Sequence, residues 1–135
     1  MTKEFVPEEI AVALKELGFN EECFAVYSEK GVLSPITNLK PCNSNVPSYA
    51  TAPLYQQAFR WFREKYGLMH IINPYHFTAD INYLKEKIVD EKHGEFIPHD
   101  HLVDDEGEEL KHSSYEEAEQ ECLKKLIEIV KEKQL

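Results

Sequence analysis

At 135 residues, 42% of them hydrophobic and 30% charged, the chain has the composition of one globular domain able to bury a core without disulfide staples. Its net charge of −10 is uneven: residues 1–52 sum to −3, residues 53–89 to +2 and residues 90–135 to −9. So acidic a surface repels nucleic-acid phosphate, which sets direct DNA or RNA binding aside in favour of a protein partner.

Residues 5–18 (FVPEEIAVALKELG) carry helix punctuation: Pro7 suits the first turn, Glu8 and Glu9 complement the positive end of the dipole, and Gly18 suits a left-handed stop. Ile10, Ala13, Leu14 and Leu17 would face inward, with Phe19 packing back after the turn. The runs 23–27 (CFAVY) and 32–36 (VLSPI) flank a turn ending in Gly31 and predict a β-hairpin whose second strand, holding Pro35, lies at an edge. Residues 37–52 are rich in Asn, Ser, Pro and Thr, follow neither period and read as a long ordered loop.

The stretch 53–67 (PLYQQAFRWFREKYG) predicts an amphipathic helix capped by Thr51 and stopped by Gly67. Tyr55, Phe59, Phe62 and Tyr66 fall on one stripe, widened by Leu54, Ala58 and Trp61, so the rings are expected to turn inward. A short buried strand follows at 68–72 (LMHII), stopped by Asn73 and Pro74. Over 76–92 two periods compete. Phe77, Ile81, Leu84 and Ile88 suit a helix at 78–92, while Phe77, Ala79, Ile81 and Tyr83 suit a strand at 76–84; the lysines and glutamates after Leu84 tip the reading to helix. Residues 99–112 read as a mobile acidic hairpin with its turn at 104–107. The last helix, 114–133, opens on a capping box of Ser114 and Glu117, and its buried stripe would be Tyr115, Ala118, Cys122, Leu126 and Ile129. Leu123, Ile127 and Val130 broaden that stripe and leave a homo-dimer open beside a monomer.

Two of these segments, PLYQQAFRWFREKYGL and SYEEAEQECLKKLIEIVKEK, resemble small uncharacterised proteins, often phage or prophage borne, of gut Bacteroidota. There an AFRWFREKYGL-like helix precedes a terminal YEEAE-x-x-CL-KLIEIVK-like helix, and the opening EFVPEEIAVALKELGF is similar as well. The matching stretches leave out residues 73–113. The resemblance implies an intracellular, mobile-element origin and an α+β fold, and it carries over no catalytic residue.

Histidine gives the sharpest chemical signal. His99 and His101 share a strand face, and a hairpin pairing Val103 with Glu108 would set His112 opposite His99, a set suited to Zn²⁺. A solvated polar hairpin is the plainer reading, because a slip of one residue moves side chains to the other face. Arg60 and Arg63 on the solvated face of the aromatic helix, and Asp104, Asp105 and Glu106 on the acidic turn, are the candidate partner contacts. Cys23, Cys42 and Cys122 lack C-x-x-C spacing and read as reduced thiols, with Cys42 the accessible one. There is no phosphate loop and no G-x-S-x-G motif. The N-terminus lacks a signal pattern and no apolar run reaches membrane-spanning length, which together point to the cytoplasm.

The expectation is therefore a single α+β domain over 1–135, with three helices packed on a small, mainly antiparallel sheet in a single layer. Its expected function is that of a non-enzymatic accessory or protein-interaction module of a phage or mobile element. Two alternatives stand beside it: a metal-binding protein or small metal-dependent enzyme using the histidines, and an acidic mimic of nucleic acid.

Overall fold

The computed structural model describes residues 4–36, 40–45, 49–85, 88–90, 94–96 and 99–133, with backbone alone for 88–90, 94–96 and His99. It is an α+β protein whose three helices accompany two three-stranded antiparallel sheets and a two-stranded ribbon, where one sheet was expected. Its contacts gather into two compact units, Met1–Ala58 and Phe59–Leu135.

The first unit opens with α1 (Glu8–Glu16), which buries Ile10, Ala11 and Leu14. Pro7 precedes it, and Gly18 at φ +96° ends it. Phe19 N–H donates to Leu14 O (2.9 Å) and Gly18 N–H to Lys15 O (3.0 Å), the paired bonds that satisfy the last carbonyls of a helix. Strands β1 (Ala25–Tyr27) and β2 (Leu33–Pro35) form the expected hairpin, and Pro35 does lie on an edge strand. Within the expected loop a two-residue strand, β3 (Ala50–Thr51), pairs with β1 and is fully buried. Asn43 holds the described part of that excursion in place: its Nδ2 donates to Phe19 O (2.7 Å) and its Oδ1 accepts from Thr51 N–H (2.9 Å). Residues 37–39 and 46–48 of the loop lie outside the described set.

Helix α2 (Tyr55–Tyr66) turns its rings inward as the stripe requires: Tyr55, Phe59, Trp61 and Phe62 are buried, while Arg60 and Arg63 are exposed. Trp61 meets Phe62 and Tyr66 edge-on, with centroids 5.1 and 5.3 Å apart. Thr51 is not its cap, because it is committed to β3. Gln57 reaches back instead, its Oε1 accepting from Leu54 N–H (2.9 Å), which is one half of a capping box.

In the second unit β4 (Leu68–Ile72), β5 (Ala79–Tyr83) and β8 (His99–His101) make an antiparallel sheet in the order β4-β5-β8, with β6 (Ile88–Asp90) and β7 (Gly94–Phe96) paired separately. The helix expected at 78–92 is thus replaced by β5 and β6. Ala79, Ile81 and Tyr83 are all buried and Leu84 is exposed, so the period of two wins. A central strand draws its stability from partners on both sides, which local helix propensity cannot report.

Helix α3 (Tyr115–Lys133) packs on β4 and β5 and buries Ala118, Cys122, Leu123, Leu126, Ile127, Ile129 and Val130. The apolar residues that seemed surplus to one stripe are therefore covered, whereas Tyr115, expected inside, is exposed. Ser114 Oγ accepts from Glu117 N–H (3.1 Å) as a cap should, but the Glu117 carboxylate bonds Ser113 and not Ser114.

Candidate functional site

Register decides what the outer face of the β4-β5-β8 sheet displays. Leu68, His70 and Ile72 lie opposite Tyr83, Ile81 and Ala79 on the covered face, and Met69 and Ile71 lie opposite Asn82 and Asp80 on the other. His101 pairs with Asp80 in turn, so Ile71, Asp80 and His101 form one row across the open face. Ile71 is 44% exposed there.

The strand order makes β4 an edge. Asn73 N–H donates to Thr78 O (2.9 Å) and Leu84 N–H to Gly67 O (2.7 Å), which fixes the alternation of the ladder. Met69 and Ile71 bond β5, and the backbone N–H and C=O groups of Leu68, His70 and Ile72 turn away from it, Leu68 buried and His70 and Ile72 half-buried. His70 stacks on Phe59 with centroids 3.7 Å apart and rings nearly parallel. Burial, with a smaller contribution from Arg63, lowers its pKa from the usual histidine value and favours the neutral ring.

The histidines do not gather as the assumed hairpin required. Val103 bridges Glu109, one residue beyond the expected partner, and Leu110 N–H donates to Leu102 O (2.9 Å) in the same register. The slip carries His112 to the covered side, where it is buried, its Nδ1 3.7 Å from Glu117 Oε1 and its backbone N–H on Phe77 O (3.0 Å). It brings Glu109 to the face of Val103 and His101 instead. His101 Nδ1 contacts Asp80 Oδ1, and ligand atoms of Asp80, His101 and Glu109 lie within 4.8 Å of one another. His99 occupies β8 opposite Asn82, and its side chain lies outside the described set.

The candidate partner contacts sit in two separate elements. Arg60 is exposed on α2 and faces Glu64 at 4.0 Å; Arg63 is exposed one turn on. Asp104 is occupied by its own turn, its Oδ1 accepting from Glu106 N–H (2.9 Å) and Glu108 N–H (3.0 Å), while Asp105 and Glu106 are exposed. All three cysteines are free. Burial pushes the Cys23 thiol up to about 11 and that of Cys122 up to about 12, which keeps both protonated and inert; Cys42 is half-buried, with Sγ 3.4 Å from Ser44 Oγ.

Asp80, Glu109 and the β4 edge were not singled out from the sequence. Reading 79–83 as a strand would have put Asp80 on the face opposite Ala79 and Ile81, but its neighbours there come from residues about 20 and 30 positions away, beyond local periodicity. Among the described residues no helix is long and apolar enough to cross a membrane. No family model, curated protein or solved structure matches the chain.

Proposed function

We propose that this chain is a non-enzymatic protein-interaction module that works by strand addition along β4. The observation that carries the reading is the unguarded edge. Folded proteins blunt exposed edge strands with charged side chains, prolines or bulges, and LMHII has none of these. Leu68 is buried, and residues 69–72 offer four residues of extended backbone with Ile71 exposed. Main-chain bonds to an added strand supply affinity, and alternate side chains supply selectivity.

The partner that fits is a second copy. Read in either direction the strand is two apolar residues, His70 and two apolar residues, so antiparallel pairing about His70 sets Met69 against Ile71 of the other copy, with the buried Leu68 at the end of the seam. Segment 53–89 carries a charge of only +2, so the acidity of residues 90–135 is not concentrated at the seam. Stable interfaces bury about 1,200–2,000 Å² in total, more than a five-residue strand supplies, so the pairing is reversible.

Sedimentation velocity over a concentration series tests this. The wild-type chain is expected to pass from monomer to dimer as concentration rises, and Ile71→Lys, which places a charge on an exposed side chain of the seam, to remain monomeric with an unchanged circular-dichroism spectrum. A wild-type chain that stays monomeric throughout, or an Ile71→Lys variant that dimerises equally well, contradicts the proposal.

A further inference from the structure

The geometry points to a divalent-cation site formed by Asp80, His101 and Glu109, a set different from the three histidines that the sequence suggests and independent of pairing along β4. Three strand positions converge to make it. Asp80 sits on the central strand, His101 is its register partner on β8, and Glu109 is held opposite Val103 by the bridge that continues the ladder. Their ligand atoms lie within 4.8 Å of one another, a spread that one ion can span with small rotamer adjustments. Positions anchored by ladder hydrogen bonds hold a constellation better than a mobile loop does.

The donor set narrows the ion. An imidazole nitrogen with two carboxylates suits borderline divalent metals such as Zn²⁺ or Mn²⁺ and is poorer for Ca²⁺, which takes six to eight oxygens. Two carboxylates and a neutral imidazole match the charge of such an ion. Asp80 is half-buried, while His101 and Glu109 are exposed, so water completes the coordination shell and the ion exchanges with solvent. Tyr83 and Asp100 bond each other on the opposite face of the sheet and leave the ligand set to these three residues.

Untagged protein dialysed against Zn²⁺ alone, and separately against Mn²⁺ alone, with bound metal measured by mass spectrometry, is the test. One equivalent per chain is expected for the wild type, lost in His101→Ala and weakened on the order of tenfold in Glu109→Gln. Glu106→Gln, on the same turn and outside the cluster, is expected to bind as the wild type does. Absence of stoichiometric binding of either ion overturns the proposal. So does binding that survives His101→Ala, or that Glu106→Gln weakens as much as Glu109→Gln. Because Glu109 is exposed, its variant keeps the test decisive if His101→Ala does not fold.

Discussion

Glycine positions show how the backbone limits substitution at single residues, alone at Gly18 and together with side-chain packing at Gly67. Gly18 (φ +96°) has open space where a Cβ would stand, whereas a Cβ at Gly67 (φ +68°) would lie 2.6 Å from Lys85 Cγ. Gly18→Ala is expected to cost about 1–2 kcal/mol from the left-handed backbone, and Gly67→Ala more, because the Lys85 stem must also shift; urea denaturation of both variants measures the difference. His70 carries a pH dependence of definite sign. Burial lowers its folded pKa below the usual 6.5, so its contribution to stability is full above that value and is lost as pH falls from there toward the folded one. The urea midpoint should therefore drop on acidification less steeply in His70→Phe, a variant that keeps an aromatic ring over Phe59, than in the wild type. An unchanged slope would contradict this. Glu117 has the same sign for a different reason: the bond from the Ser113 hydroxyl favours its charged form and lowers its pKa, so its share of stability is present above the ordinary carboxylate range and fades as pH falls through the lowered value. In an NMR titration Glu117 should titrate below the usual glutamate range, and Ser113→Ala should raise it toward that range, the Ser113 backbone N–H and His112 remaining in place. The sequence announced Ser114 and Gly18, whose roles depend on neighbours within five residues. It could not announce Glu109, whose role depends on a bridge whose register is off by one from the expected pairing.

Elements differ in how much of their stability is local. The three helices and β4 were readable because periodicity and punctuation agree within each segment: glutamates open α1 and α3, lysines close them, and left-handed glycines follow α1 and α2. Strand β5 was not, since its residues satisfy both periods and the decision comes from β4 and β8 on either side. Strand β3 is two residues long inside a polar stretch and leaves no period to find. The same non-local support makes β5 sensitive to truncation. Ile81 is fully buried at the centre of the sheet, and Ile81→Ala is expected to cost about 2–5 kcal/mol in urea denaturation. Asn82→Ala on the same strand, half-exposed on the open face, should cost far less. Equal losses would mean that the strand is not held in the register described.

For the whole molecule, composition and patterning were enough to reach an α+β fold with three helices, because each helix has an apolar face that must be covered. They were not enough to divide the strands between two sheets, since sheet membership is a matter of pairing between distant segments. Strand order is also what exposes β4, so the proposed function became visible only at this scale. A chain of net charge −10 resists self-association in general, which would make the proposed pairing along one weakly charged edge selective. Amide hydrogen exchange, resolved by residue and measured at low and high protein concentration, tests the claim most directly. Protection of the His70 and Ile72 amides should rise with concentration, while Met69 and Ile71, already bonded to β5, stay protected throughout; amides of His70 and Ile72 that exchange at the same rate at both concentrations would contradict pairing along β4.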